Sequence, residues 1–181
     1  MADFLWKNYF KRTTEEKEIG EILKENILFA DLSSRQLKFV TNIVHLRKYR
    51  TDEVVFHQGE VGVGMYIIAK GRVNITTEET RLNKNKSTII IAKLVPGDFF
   101  GELSLVEENG RRSATATAGE DTSLIGFFKP DLLEILERMP VAGVKIALSL
   151  GEVVGRRLKE TTERVSILEE QLARLQSESN T

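Results

Sequence analysis

Residues 100–118 read FGELSLVEENGRRSATATA and form the most informative stretch of the chain. Glu102 and Arg112 stand on either side of a glycine-marked turn, and a run of small residues, SATATA, follows. A plain surface hairpin requires neither the acid nor the base, and it does not require side chains this small beyond them. The stretch therefore predicts a binding site as well as an element of the fold.

The residue types in this stretch match the chemistry of a sugar-phosphate. Gly101 begins a short helical turn, ELSL, whose amides can hold a phosphate. Arg112 would add a bidentate, charge-assisted clamp, and Ser113 can donate to the same group. Glu102 is only an acceptor when ionised, so it would bind an OH donor such as a ribose hydroxyl. The alternative is a Glu102–Arg112 salt bridge across a surface hairpin, which would contribute little stability.

Short β-prone segments extend on both sides of this stretch, from Leu46 to Phe128. Turns that carry glycine, asparagine or aspartate separate them, as strands at close spacing require. Many short strands of this kind predict a barrel, a roll or a sandwich. The predicted strands are VVF (54–56), MYIIA (65–69), RVNIT (72–76), STIIIAKL (87–94), SATATA (113–118) and TSLIGF (122–127).

Helical patterns precede the strands. Residues 2–25 predict a helix whose aromatic beginning, residues 4–10, either packs on the domain or docks a partner. Packing is the favoured alternative, because clustered aromatic side chains are mostly ordinary core. Ser33 and Gln36 form a capping-box pattern at the start of a second helix that runs to about Val44.

Two helices are predicted after the strands. Pro130 begins a short helix, and Pro140 ends it and can begin the next. Helix formers without a further proline then continue from Val141 to about Glu178. At about 1.5 Å per residue this helix would measure about 57 Å, so a small domain cannot bury it and its end requires a partner.

The long helix carries a heptad pattern. Its seam residues are spaced four and three apart in alternation, which predicts a parallel homodimer through a coiled coil. The alternative is a single amphipathic helix that lies on its own domain. Thr161 interrupts the apolar seam, and Thr162 follows it. Their hydroxyls either donate to carbonyls of the same helix or contact a polar group that is buried at the interface. The seam consists of Val154, Leu158, Thr161, Val165, Leu168, Leu172 and Leu175.

Composition excludes several classes of function. The 181 residues contain 26 Lys and Arg against 27 Asp and Glu, so no bulk charge favours nucleic acid or an anionic membrane. The absence of cysteine excludes disulfides and thiolate metal sites. His45 and His57 are twelve residues apart, which does not fit the histidine cluster of a metal-dependent β-barrel enzyme. We therefore expect no metal, no cofactor and no catalysis, and a cytoplasmic protein without a membrane segment.

These residues resemble a known family. FGELSL and RRSATATA are similar to the phosphate-binding cassette of the cyclic nucleotide-binding domain family. The whole resemblance spans residues 27–165. GEVGVGMYIIAKGRVNI (59–75) resembles the family's early hairpin, and LVPGDFFGE (94–102) its approach to the cassette. Within the family, RRLKETTERV (156–165) is similar to the dimer helix of the bacterial catabolite activators.

The resemblance implies an α+β fold: a jelly-roll-type β-roll with N-terminal helices and a long C-terminal coiled-coil helix. It places an N-terminal extension at residues 1–26, the β-roll domain at 27–139 and the dimerisation helix at 140–181. It also implies roles for the site residues. Gly101 and Glu102 would hold the ribose. The cyclic phosphate would be held by Leu103, Ser104, Arg112 and Ser113. The adenine would be held by Thr161 of one chain and Thr162 of the other. Ile91 would line the base pocket, and Arg157 would pair with Glu102 or approach the base.

The expected function is that of a homodimeric cAMP receptor which relays ligand binding through its C-terminal helix to an unknown protein partner. Cyclic GMP is an alternative ligand, because Ser113 could also serve a guanine. A second alternative is a roll that binds nothing and only dimerises. Catabolite activators continue into a helix-turn-helix domain, whereas this sequence ends at Thr181, so we expect no DNA binding.

Overall fold

The structure, a computed structural model, describes residues 15–80 and 86–179. Two four-stranded antiparallel sheets face each other, in the orders β1-β8-β3-β6 and β2-β7-β4-β5. Helices precede and follow them, which confirms the predicted α+β β-roll. The elements are α1 (15–25), α2 (Ser34–Thr41), β1 (His45–Tyr49), β2 (Val54–Phe56), β3 (Gly64–Lys70), β4 (Val73–Thr80), β5 (Lys86–Leu94), β6 (Phe99–Phe100), α3 (Leu103–Val106), β7 (Thr115–Ala118), β8 (Thr122–Phe128), α4 (Lys129–Arg138) and α5 (Pro140–Ser179).

All six predicted strands form, and two further strands were not predicted. β1 is a charged segment, HLRKY, without a continuous apolar face. It pairs with β8 along its whole length, from His45 opposite Gly126 to Tyr49 opposite Thr122. β6 has only two residues, and both pair with β3. Neither strand shows the alternation of apolar and polar residues by which a strand is recognised in a sequence.

The run of small residues is explained by the interior of the roll. Ala114, Ala116 and Ala118 are buried, while the threonines between them are half-buried, as the alternation of a strand requires. Ala116 packs in a core cluster with Ile68 and Phe100. Small side chains at these positions let the two sheets approach, and they leave space next to the cassette.

A second core cluster joins the roll to its helices. Ile19 and Leu23 of α1 pack in the same cluster as Phe127 of β8 and Ile146 of α5. Residues 15–25 therefore pack on the domain, whereas the aromatic residues 4–10 lie outside the described residues. The capping box of α2 is confirmed, since the Gln36 amide donates to Ser33 Oγ at 3.4 Å and the Ser33 amide to Gln36 Oε1 at 2.9 Å. The domain limits 1–26, 27–139 and 140–181 stay predictions.

Helix α5 begins at Pro140, as predicted, and its 40 residues measure about 60 Å. Its first part is anchored, because Ala142, Ile146, Leu150 and Val153 are buried in the core. From residue 155 to residue 177 every described side chain is exposed. From Leu158 onwards the helix therefore does not lie on its own domain, and most of the predicted seam is uncovered in this chain.

Candidate functional site

A cavity of about 380 Å³ lies between the cassette, the β2-β7-β4-β5 sheet and helix α5. Its lining combines apolar side chains with charged ones. The size falls in the usual range of small-molecule sites, which is about 300–1,000 Å³. The lining residues are Phe56, Ile75, Ala92, Leu94, Phe99, Phe100, Gly101, Glu102, Leu103, Ser104, Glu107, Arg111, Arg112, Ser113, Ala114 and Arg157.

The cassette turn depends on Gly101. This residue follows β6 with φ +78°, a conformation that L side chains rarely adopt. A Cβ atom built on it would collide with Nη1 of Arg112. The single helical turn α3 comes next, and the Ser104 amide donates back to the Gly101 carbonyl at 3.2 Å. Gly101 thus permits both the turn and the close approach of the arginine.

Arg112 is the centre of the site. It is 7% exposed. Its Nη1 donates to the Gly101 carbonyl at 3.2 Å and to Ser104 Oγ at 2.8 Å, and its Nη2 donates to the Gly64 carbonyl at 2.7 Å. All three acceptors are neutral, and no carboxylate of the described residues forms an ion pair with this guanidinium. Burial lowers the pKa of Arg112, an effect that Tyr66, Glu60 and Glu102 partly offset. The protein therefore holds a buried cation without a matching anion.

Two donors of Arg112 remain for a ligand. A guanidinium has five N–H groups, and the three bonds above use two on Nη1 and one on Nη2. The remaining donors are Nε–H and the second Nη2–H. Nε is a buried nitrogen without a hydrogen-bond partner among the described residues. Two spare donors on a fixed cation are what a phosphate oxygen pair requires.

Glu102 lies at the same cavity and connects it to helix α5. Its residue exposure is only 6%, and its Oε1 accepts from Nη1 of Arg157 at 2.6 Å. Arg157 also donates through Nη2 to the Phe99 carbonyl at 3.3 Å, and its guanidinium carbon lies 4.9 Å from the centre of the Phe99 ring. Of the two predicted contacts of Arg157, the structure contains the pair with Glu102. The second carboxylate oxygen, Oε2, can accept from a ligand.

A sequence comparison shows which family the chain belongs to. The family model described as the cyclic nucleotide-binding domain matches residues 46–139, which include both sheets and the whole cassette. The chain belongs to the cyclic nucleotide-binding domain family.

Individual relatives support the assignment of the chain to this family. This chain is 34% identical over 152 residues to the Cyclic AMP receptor protein of Thermus thermophilus, covering 84% of this chain and 66% of that protein. It is 29% identical over 132 residues to the cAMP-activated global transcriptional regulator CRP of Salmonella typhimurium, covering 73% of this chain and 59% of the relative. The chain thus spans about two thirds or less of the length of these relatives.

Solved structures share the fold. The crystal structure of Thermus thermophilus Catabolite Activator Protein superposes with a TM-score of 0.67 at 33% identity, over 80% of this chain and 63% of that one. A cyclic nucleotide-binding domain from Methylobacillus flagellatus superposes with a TM-score of 0.70 at 25% identity, over 83% of this chain and 82% of that one.

Three predicted site residues of this cyclic nucleotide-binding domain lie outside the cavity lining of the protomer. Ile91 is exposed, because the β4–β5 register shifts between Ile75 and Thr76 and leaves Ile91 as the extra residue of a bulge; Ala92 lines the cavity instead. Thr161 and Thr162 are exposed on α5, and their hydroxyls donate to the carbonyls of Arg157 at 2.8 Å and Leu158 at 2.9 Å. The predicted base contacts of all three residues stay predictions.

Several other features of the site were not predicted from the sequence. Phe56 of β2 places its ring 4.0 Å from the guanidinium carbon of Arg112. Gly62 lies so close to Ser104 that a Cβ atom there would collide with its hydroxyl. Gly64 supplies a carbonyl acceptor to Arg112. The glycines of GEVGVG are visible in the sequence, but nothing there shows that they enclose an arginine almost fifty residues later.

Two further predictions concern metal binding and membrane insertion. Within residues 15–80 and 86–179, no three histidine, aspartate or glutamate side chains come together as metal ligands. His45 lies instead 3.5 Å from Asp131, between β1 and α4. In the same ranges every helix lacks the combined length and hydrophobicity of a membrane span. The expected absence of a metal, a cofactor and catalysis stays a prediction.

Proposed function

We propose that this chain is a cyclic nucleotide receptor, that its ligand is cAMP, and that it acts as a homodimer whose long helices respond to the ligand. The observation that carries the proposal is Arg112, a buried cation with neutral protein acceptors and two unused donors at a cavity of ligand size. A buried charge without a directly paired opposite charge is costly, so the site favours an anion. The cyclic phosphate supplies one.

Glu102 supports a sugar next to that phosphate. A carboxylate buried beside a phosphate-binding arginine would repel a second phosphate, but it accepts a hydroxyl well. Its Oε1 is already bonded to Arg157, which leaves Oε2 for the ribose 2′-OH. The two groups therefore favour a cyclic ribose-phosphate over a free phosphate. Arg157 would report the occupancy of the ribose position to helix α5.

The threonines of α5 favour adenine. Their hydroxyl hydrogens are used by the carbonyls of Arg157 and Leu158, so the oxygens present lone pairs. Lone pairs accept from the 6-amino group of adenine, whereas the corresponding position of guanine carries another acceptor. In a parallel dimer, Thr161 at d and Thr162 at e of the other chain would both face the base. Because Ser113 is exposed at the cavity and can donate to guanine, cGMP is the second candidate.

Calorimetric titration with cAMP, cGMP and non-cyclic 5′-AMP tests the proposal. We expect one cAMP per chain, weaker binding of cGMP and no comparable binding of 5′-AMP. A preference for cGMP would overturn the adenine assignment but would still support the proposal that the chain is a cyclic nucleotide receptor. If neither cyclic nucleotide binds at high micromolar concentration, the proposal of a receptor is wrong. The alternative of a module that only dimerises would then be favoured. The protein partner, the cytoplasmic location and the absence of DNA binding stay predictions.

Thr161→Val is expected to weaken cAMP binding about tenfold, because one hydrogen bond is lost while the shape of the side chain is kept. A cyclic nucleotide without the 6-amino group should bind wild type about tenfold more weakly than cAMP and bind Thr161→Val no more weakly than wild type. Ser166→Ala, which removes a hydroxyl from an exposed position on the same helix, is the control. Equal cAMP affinities of wild type and Thr161→Val would place the base elsewhere.

Gly101→Ala is expected to lower both stability and affinity, whereas Gly97→Ala lowers stability alone. Both glycines have positive φ, +78° and +93°, so each substitution costs about 1–2 kcal/mol of backbone strain. A Cβ at Gly97 meets nothing within 4 Å, but at Gly101 it meets Arg112. Displacing the arginine should weaken cAMP binding by at least about tenfold. Thermal denaturation and calorimetry measure the two effects; equal affinities in the two variants would contradict the role of Gly101.

A further inference from the structure

One segment, residues 56–64, encloses Arg112 from several sides; we name it the arginine collar. Its backbone holds the arginine backbone, since the Gly59 amide donates to the Arg112 carbonyl and the Arg112 amide to the Glu60 carbonyl, both at 2.8 Å. The Gly64 carbonyl accepts from Nη2 at 2.7 Å. The collar begins with Phe56, and this is the residue that contacts the face of the guanidinium.

The ring and the carbonyls restrain the guanidinium in different directions. The bonds to Gly64, Gly101 and Ser104 lie along N–H directions, so they fix the group within its own plane. The Phe56 ring, 4.0 Å from the guanidinium carbon, contacts its face instead. Ring centroids of Phe100 and Tyr66 lie 5.8 and 6.3 Å from that of Phe56, and these neighbours support the ring.

We propose that Phe56 is a positioning residue for the cyclic phosphate: it holds the guanidinium of Arg112 at its three acceptors, so that the two unused donors, Nε–H and the second Nη2–H, stay available to the ligand. The inference rests on the proposed function and deepens it. The negative face of the ring attracts a cation, an attraction that grows when both groups are removed from water. Without the ring, only the hydrogen bonds would hold the guanidinium, and the plane that carries the two spare donors would tilt from its position.

The first experiment concerns the free protein. The Nε–H resonance of Arg112, assigned by its disappearance in Arg112→Lys, should exchange slowly with water, because Nε is buried. We expect Phe56→Leu to accelerate this exchange at least about tenfold and Phe56→Tyr to leave it slow. The matched control is Phe39→Leu, which removes the ring 4.9 Å from the guanidinium carbon of Arg138, away from the cavity.

The second experiment measures cAMP affinity. Phe56→Leu should bind about tenfold more weakly, with Phe56→Tyr and Phe39→Leu close to wild type. Replacing Phe56 by 3,4,5-trifluorophenylalanine keeps the ring shape but removes the negative face, so the affinity should fall in the same direction. A role limited to packing would leave the fluorinated protein unchanged, and this second variant keeps the test valid if Phe56→Leu folds poorly.

The outcomes separate the two proposals. If wild type binds no cyclic nucleotide, the proposed function fails, while exchange in the free protein still decides whether Phe56 holds Arg112. If wild type binds cAMP and both Phe56→Leu and the fluorinated variant match it in exchange and affinity, the positioning role is wrong. Faster exchange together with weaker binding, restored by tyrosine, would support it.

Discussion

Arg112→Gln is expected to weaken cAMP binding at least about 100-fold, because each charge-assisted hydrogen bond contributes about 1.5–3 kcal/mol and the wild type has two donors to spare. Glutamine keeps a polar amide in the cavity but supplies no positive charge. The free protein should stay folded with a modest loss of stability, because the Gly64 and Gly101 carbonyls lose a donor whereas no ion-paired carboxylate is left behind. Calorimetry and thermal denaturation, each with and without cAMP, measure the two effects.

The control for this variant is Arg72→Gln. Arg72 is an exposed arginine 3.7 Å from Glu120 and does not line the cavity, so its loss should change neither property by a measurable amount. Nucleotide should raise the melting temperatures of wild type and of the Arg72 variant equally, and it should not raise that of Arg112→Gln. Wild-type affinity in Arg112→Gln would refute the assignment of the phosphate to this arginine.

Leu168→Glu is expected to convert the proposed homodimer to monomers at micromolar concentration. In a parallel coiled coil the two Leu168 side chains meet at a d position, so the substitution would place two carboxylates opposite each other inside an apolar seam. We expect the dimer dissociation constant to rise at least about 100-fold, because burying an unpaired charge costs several kcal/mol. Analytical ultracentrifugation across a dilution series measures it, with cAMP absent and present.

Ile167→Glu provides a closely matched control. Ile167 and Leu168 are neighbours with almost equal exposure in the protomer, 55% and 56%, and both substitutions introduce a glutamate. The heptad pattern alone distinguishes them, because Ile167 falls at position c and faces away from the seam. Ile167→Glu should therefore leave the dimer intact. Equal dissociation of both variants, or a wild-type protein that stays monomeric with cAMP bound, would contradict the proposed interface.

The features that the sequence predicts correctly are those encoded by neighbouring residues. The capping box at Ser33 and the helix start at Pro140 need only a few adjacent positions. The alternation of Thr and Ala around Ala116 follows from the two-residue period of a strand. The family resemblance rests on a cassette of contiguous residues, and both the matched family model and the β-roll agree with it.

The features that the sequence does not predict depend on distant partners. β6 is too short to show a pattern and forms because Phe99 and Phe100 pair with β3. The bulge that turns Ile91 outward arises from the register of β5 against β4, which no single strand encodes. The same holds for Phe56, since its distance in sequence from Arg112 hides the contact between them.

Helix α5 is continuous from the core to its end, and this continuity has a mechanical consequence. Beyond Val153, the last side chain buried in the core, the rod extends for about 39 Å. A tilt of about ten degrees at that pivot would sweep the far tip through about 7 Å. A displacement at the Arg157–Glu102 pair smaller than one atom's diameter would therefore emerge, amplified, as a movement large enough for another molecule to detect.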